Sequence, residues 1–179
     1  AFAYTDAFAL SAMPLITQHV RTAYTDPENA VAREGLMLAA SQAGMAFSNA
    51  SVALVHGMSR PIGAHFHVAH GLSNAMLLPA VTAFSVSHAP QRYAQCARIM
   101  GMAEPADTDG KACEKLIGAL QQLNQDLQVP SPSTNGLDHH AYHEKLLLMA
   151  EQAMTSGSPQ NNPRVPTAAE IESLYREIW

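Results

Sequence analysis

Charge, cysteine and long apolar runs are all scarce in this chain of 179 residues, and each shortage removes a class of protein. Charged residues make up 14% of it, ten Lys and Arg against fifteen Asp and Glu, for a formal charge of -5. Without a basic stripe the chain lacks the electrostatic footprint of a nucleic-acid binder. No uninterrupted apolar run reaches the roughly 18–20 residues that span a bilayer, so no membrane association is expected. Two cysteines, Cys96 and Cys113, are too few and too isolated for a disulfide scaffold. Both fall within helical pattern and read as buried thiols, which fits a reducing, cytoplasmic setting. The opening residues carry no basic stretch of the kind that begins a signal peptide. No convincing strand pair and no Gly-rich phosphate loop of either common spacing is present. If the chain serves an oxidoreductase, most of the nucleotide site is expected outside it.

What is present is apolar and helix-forming. Hydrophobic residues make up 47% and aromatics 6%, so alanine, leucine and methionine carry the apolar content, and these lose little side-chain freedom in a helix. The expectation is an all-α fold, a close-packed helical bundle forming a single domain over residues 1–179. The absence of an initiator Met, with helical pattern from the outset, suggests a chain that begins in mid-domain.

Apolar positions at helical spacing mark a first helix over about residues 6–24. Asp26-Pro27-Glu28 reads as the next helix start, since Asp caps, Pro suits the first helical position and Glu the positive end of the dipole. That helix is expected to reach about Leu54. Its alanines, with Gly35 and Gly44, predict close helix approach and burial on most sides. Between Val55 and His70 the pattern breaks at Gly57, Pro61 and Gly63. A helix over residues 72–84 is expected to kink or stop at Pro79. Pro90 opens another over residues 91–100, closed by Gly101, and residues 109–127 form a further amphipathic helix. Asp138 caps a helix through Met154, residues 156–166 form a loop, and Thr167 with Glu170 forms a capping box for a last helix to Trp179.

Four of the nine histidines, His56, His65, His67 and His70, fall in the broken segment. Imidazole is a borderline donor suited to Fe, Zn, Ni and Cu. His56 is expected at the end of one helix and His70 at the start of the next, two helix ends able to aim both rings at one point. His65 and His67 read as structural or surface residues. His139 and His143 share a helix face at i, i+4, with His140 beside them, and read as solvated. Catalytic metals typically take three or more protein ligands and keep one position open, and no third ligand is evident here.

The run "VHGMSRPIGAHFHVAHGLSNAMLLP" from Val55 to Pro79 closely resembles the histidine signature of iron-containing (group III) alcohol dehydrogenases, a family that includes lactaldehyde reductases and 1,3-propanediol dehydrogenases. The likeness extends from "AYTDAFAL" through "AGMAFSNASVALVHG" to "SGSPQNNPRVPTAAEIESLYREIW". It implies the family's all-helical C-terminal domain, with a dinucleotide-binding domain preceding it and absent from this chain. It implies a divalent metal, Fe2+ with Zn2+ as the alternative, held by one Asp and three His. His56 and His70 match two of these histidines, and the other Asp and His would lie upstream. NAD or NADP would serve the intact enzyme, which would interconvert a primary alcohol or diol and an aldehyde by hydride transfer. The chain alone would be inactive, and an apolar face left exposed would make it self-associate or aggregate; the intact enzyme would be a homo-oligomer.

One position departs from the family pattern. Many members carry a further His four residues after the first ligand, near the nicotinamide and the substrate, and here Arg60 stands there. A permanently charged guanidinium cannot relay a proton as imidazole does. It can hold an anionic substrate or cofactor group, or form an ion pair. Two other readings remain: a helical binding or interaction module without catalysis, and a helical zinc protein using His56 and His70 with His65 or His67.

Overall fold

The computed structural model describes residues 2–179. Among them the regular elements are α-helices α1 (Ala3–Thr25), α2 (Ala30–Ala50), α3 (Leu54–Phe66), α4 (His70–Ser85), α5 (Pro90–Ile99), α6 (Asp109–Asp126), α7 (His139–Glu144), α8 (Leu146–Thr155) and α9 (Ala168–Glu177), with two short 3₁₀ turns. The all-α expectation holds, and no strand occurs among the described residues. No single helix among them is long and apolar enough to cross a membrane. The chain forms two compact units, one of residues 2–51 and 90–119, the other of residues 52–89 and 120–179.

In the first unit α1 and α2 make an antiparallel hairpin whose contact is built from small residues. Ala32, Ala39 and Ala46, seven residues apart, are buried, and a Cβ added at Gly35 would lie 2.2 Å from the His19 ring. The hairpin turn differs from the expected helix start. Asn29, not Asp26, is the N-cap, its side chain accepting from the Ala32 N–H at 3.0 Å. Asn caps as well as Asp, and starting later leaves Pro27 in the turn, where its carbonyl accepts from Arg33.

Burial of α2 on most sides is also corrected. Only its alanine stripe is buried, while Val31, Met37, Leu38 and Phe47 stay exposed, because the close approach to α1 uses one face and the larger side chains occupy the others. An open apolar groove of about 410 Å³ runs beside the hairpin contact, lined by Ala12, Met13, Ile16, Ala43 and Phe47. The helix ends at Ala50 rather than Leu54, where Ser51 takes a φ of 66°. Further along, Pro90 opens α5 and Gly101, at φ 70°, ends it, as expected. Residue 113 contributes a buried thiol and residue 96 a half-buried one, and burial pushes both Cys113 and Cys96 upward in pKa.

The second unit is assembled around Leu54, Met58, Ile62, Leu77, Tyr142, Leu146, Met149, Ile171 and Tyr175. Leu54, Met58 and Ile62 lie one turn apart on α3 and are fully buried, which explains why the segment read as broken is a helix. Burying three large apolar side chains at about 1.5–3 kcal/mol each outweighs the propensity cost of Gly57, Pro61 and Gly63. Likewise α4 runs through Pro79 to Ser85 instead of stopping. A helix proline leaves the carbonyl four residues earlier without its N–H partner. Here that carbonyl, on Ala75, accepts from the Asn124 side chain at 2.8 Å. The helix expected from Asp138 to Met154 is divided at Lys145 into α7 and α8, with Asp138 capping α7 as anticipated. The Thr167–Glu170 capping box on α9 is present as anticipated.

Candidate metal centre

His56 does not close a helix, as the sequence pattern suggested, but lies in the first turn of α3, and His70 is the first residue of α4. After α3 ends, His67 takes a left-handed backbone (φ 55°) and turns the chain back. The start of α4 thereby returns to the start of α3. Ser73 Oγ donates to the Ser59 carbonyl at 3.4 Å, joining the two helices one turn in from His56 and His70. The imidazole centroids of His56 and His70 stand 5.2 Å apart with planes at 56°.

Hydrogen bonds select the tautomer of His70. Ser59 Oγ donates to the His56 carbonyl at 3.2 Å and lies 3.4 Å from His70 Nδ1, so Nδ1–H is the donor in that second contact. On the other side the Asn74 amide nitrogen approaches His70 Nε2 at 3.1 Å and donates to it. Nε2 is therefore unprotonated, with its lone pair engaged by the Asn74 amide, which a metal at this nitrogen would have to displace. Asn74 Oδ1 is buried and makes no hydrogen bond within the protein. His56 is half-buried. Burial first, then the neighbouring His70 and Arg60, hold its pKa below the usual histidine value, so the ring is neutral at physiological pH. Two imidazoles converging from two helix starts form a donor set suited to a borderline divalent cation.

The other candidates are not brought into this pair. His65 Nε2 donates to Gln152 Oε1 at 2.9 Å, and His67 is exposed at the helix end. The exposed Arg60, one turn beyond His56, donates to Ser158 Oγ at 3.4 Å. The backbone is tight beside it: a Cβ on Gly57 would lie 3.1 Å from the Pro159 ring. No group of three or more His, Cys, Asp or Glu able to hold a metal occurs among the described residues. His139, His140 and His143 lie at α7, where sequence reasoning missed that the His139 and His143 rings stack 4.1 Å apart.

Two imidazoles meeting at neighbouring helix starts are the feature of this all-helical fold that bears most on its chemistry. The chain belongs to the Fe-containing alcohol dehydrogenase family: the family's C-terminal model matches residues 1–179. It is 34% identical to the 1,3-propanediol dehydrogenase of Klebsiella pneumoniae over 98% of this chain and 44% of that protein. It is 32% identical to the NAD-dependent methanol dehydrogenase of Bacillus methanolicus, over 96% of this chain and 44% of that one. The crystal structure of a 1,3-propanediol oxidoreductase matches it at a TM-score of 0.93 and 33% identity, covering 100% of this chain and 46% of that one. The chain thus spans less than half the length of these relatives.

Proposed function

We propose that this chain supplies part of the metal site of an NAD(P)-dependent alcohol dehydrogenase that interconverts a primary alcohol or diol with its aldehyde. The observation that carries this reading is the convergence of His56 and His70, with their rings 5.2 Å apart. A divalent metal bound there, Fe2+ or alternatively Zn2+, would act as a Lewis acid on the alcohol oxygen, while the nicotinamide takes the hydride. His56 and His70 would hold the metal, with Ser59 on the Nδ1 side of His70 and Asn74 giving up its bond to Nε2. Burial lowers the His56 pKa and so favours the neutral ring that a metal requires. Arg60 lies beside the pair as a fixed cation and suits an anionic group of the cofactor or substrate.

Two imidazoles do not complete a catalytic site. The remaining ligands, one Asp and one His, and the nucleotide domain are assigned to a preceding part of the enzyme. The shorter span of this chain against its relatives supports that assignment. So do the exposed Val31, Met37, Leu38 and Phe47, apolar side chains that such a domain or a second subunit of a homo-oligomer would cover. The two free thiols fit a cytoplasmic enzyme. The 179-residue chain taken alone is expected to bind metal weakly and to turn nothing over.

The test is formation of NADH or NADPH from primary alcohols and diols by the enzyme containing this chain, loaded with Fe2+. Exchange of His70 for Gln should cost more than the roughly 10- to 100-fold that losing an outer-sphere partner of a metal costs. Unchanged turnover in that variant would defeat the reading, and so would robust turnover by the 179-residue chain alone.

A further inference from the structure

The histidines of α7 form a second arrangement that the proposed dehydrogenase chemistry does not use. Asp138 caps this helix by accepting from the Ala141 N–H at 2.8 Å, which fixes the turn carrying His139 and His143. The i, i+4 spacing puts both rings on one face, where they stack 4.1 Å apart at 27°. The side chain of Trp179 walls this face, its ring 5.5 Å from that of His139 and 5.1 Å from that of His143. Tyr142 backs the tryptophan, with centroids 4.7 Å apart and its own ring fully buried. Buried aromatic packing thus holds one side of the pair, while exposed His139 leaves the other open to solvent.

The tautomer of His143 is set as well. Its Nδ1 lies 2.9 Å from the His139 carbonyl oxygen, and a carbonyl only accepts, so Nδ1 carries a proton and Nε2 is the nitrogen that can ligate. A ring N–H given to a backbone carbonyl is the outer-sphere arrangement that orients ligating histidines and raises their basicity. Metal–nitrogen bonds of about 2.0–2.1 Å bring two ligating nitrogens to within roughly 4.2 Å of each other. The two ring centroids lie 4.1 Å apart, and rotation of the exposed His139 ring out of the stack would turn both nitrogens toward one ion.

We propose that His139 and His143 form a two-imidazole site for a borderline divalent cation, with water completing the coordination. Its preference follows ligand softness and the general stability order, Cu2+ ahead of Ni2+ and Zn2+. His140 is the third histidine of this run, and its ring stands edge-on to His139 at 5.7 Å rather than stacking. It is not a ligand. The site takes no part in the proposed hydride transfer and makes no demand on His56 or His70.

The protein carries its own reporter, because Trp179 is the sole tryptophan of the chain. The experiment is a titration of tryptophan fluorescence with CuCl2, with the W179F variant defining the Trp179 signal in any longer form of the protein. Binding beside the indole should quench the Trp179 emission to a saturating level. The midpoint should move to at least tenfold higher Cu2+ in H139Q and in H143Q, with unchanged helical circular dichroism. H140Q and the H56Q/H70Q double variant should quench as the parent does. Quenching that persists unaltered in H139Q and H143Q, that vanishes in H56Q/H70Q, or that never saturates would overturn the proposal. Should H143Q unfold, H139Q alone decides, since His139 is exposed and its loss leaves the aromatic packing in place.

Discussion

Tyr175 on α9 donates a 2.7 Å hydrogen bond to the main-chain carbonyl of Met58, two residues beyond His56 on α3. Both residues are completely buried, so the bond ties the far end of the sequence to the helix that presents the first candidate ligand. Tyr142 in turn donates to the Tyr175 carbonyl at 3.0 Å. Replacing Tyr175 with Phe removes the donor but keeps the ring. Stability should fall by about 1–3 kcal/mol, the usual range when a buried partner is left unsatisfied. Urea unfolding should show a lower midpoint with an unchanged slope.

The passage of α4 through Pro79 depends on Asn124. Its amide supplies the donor that the proline denies to Ala75. An N124A variant should lose about 1–2 kcal/mol through the orphaned carbonyl. A P79A variant restores the missing N–H, so the same asparagine substitution should cost less in that background. A double-mutant cycle by chemical denaturation measures the difference, and strict additivity would contradict the coupling.

Asp107 is an acid-sensitive point of the first unit. The Lys115 ammonium beside it, the Glu104 N–H at 2.8 Å and Lys111 hold its carboxyl well below the usual carboxylate range. A carboxyl whose folded pKa lies below its unfolded value of about 3.9 leaves the folded state with fewer protons. Its stabilisation is therefore complete above about pH 4 and is lost as pH falls toward the folded value. Unfolding free energies of the parent and D107N should differ most at about pH 6, and the gap should narrow as pH falls below about 4 toward about 3. A gap that stays constant across that interval would contradict the assignment.

Arg60 places a fixed positive charge one turn from His56, and that charge contributes to the lowered His56 pKa. The same charge opposes a cation held by His56 and His70. R60Q should tighten Zn2+ binding severalfold, in line with the 0.2–1 kcal/mol of exposed charge pairs. Its thermal midpoint should hardly move, since the residue's contact with Ser158 is a long 3.4 Å bond at the surface. A weakened Zn2+ affinity would show instead that the guanidinium helps to build the site.

The parts of this fold legible in the sequence are those decided by local chemistry. The Thr167–Glu170 box, Pro90 with Gly101, and the Asp138 cap each act within one turn, so the residues themselves announce the element. What stayed hidden depends on distant partners. Helix α3 persists through Gly57, Pro61 and Gly63 because Leu54, Met58 and Ile62 are buried against other elements. The fate of Pro79 is settled by an asparagine on another helix. The likeness of the histidine run singled out His56 and His70, and the family match covers the whole chain. Their meeting at two helix starts, and the tautomer of His70, required the return path through His67 and the positions of Ser59 and Asn74. The wall that Trp179 builds beside His139 and His143 was equally out of reach, since no local rule joins α7 to the end of α9.

The most direct test of the central claim is metal loading of the enzyme containing this chain, with Fe2+ and Zn2+ content and affinity compared across single histidine variants. The account predicts that H56Q and H70Q each lose affinity by more than the roughly 10- to 100-fold of an outer-sphere change, while H65Q and H67Q bind as the parent does. Retained affinity in H56Q and H70Q, or a large loss in H65Q or H67Q, would contradict it.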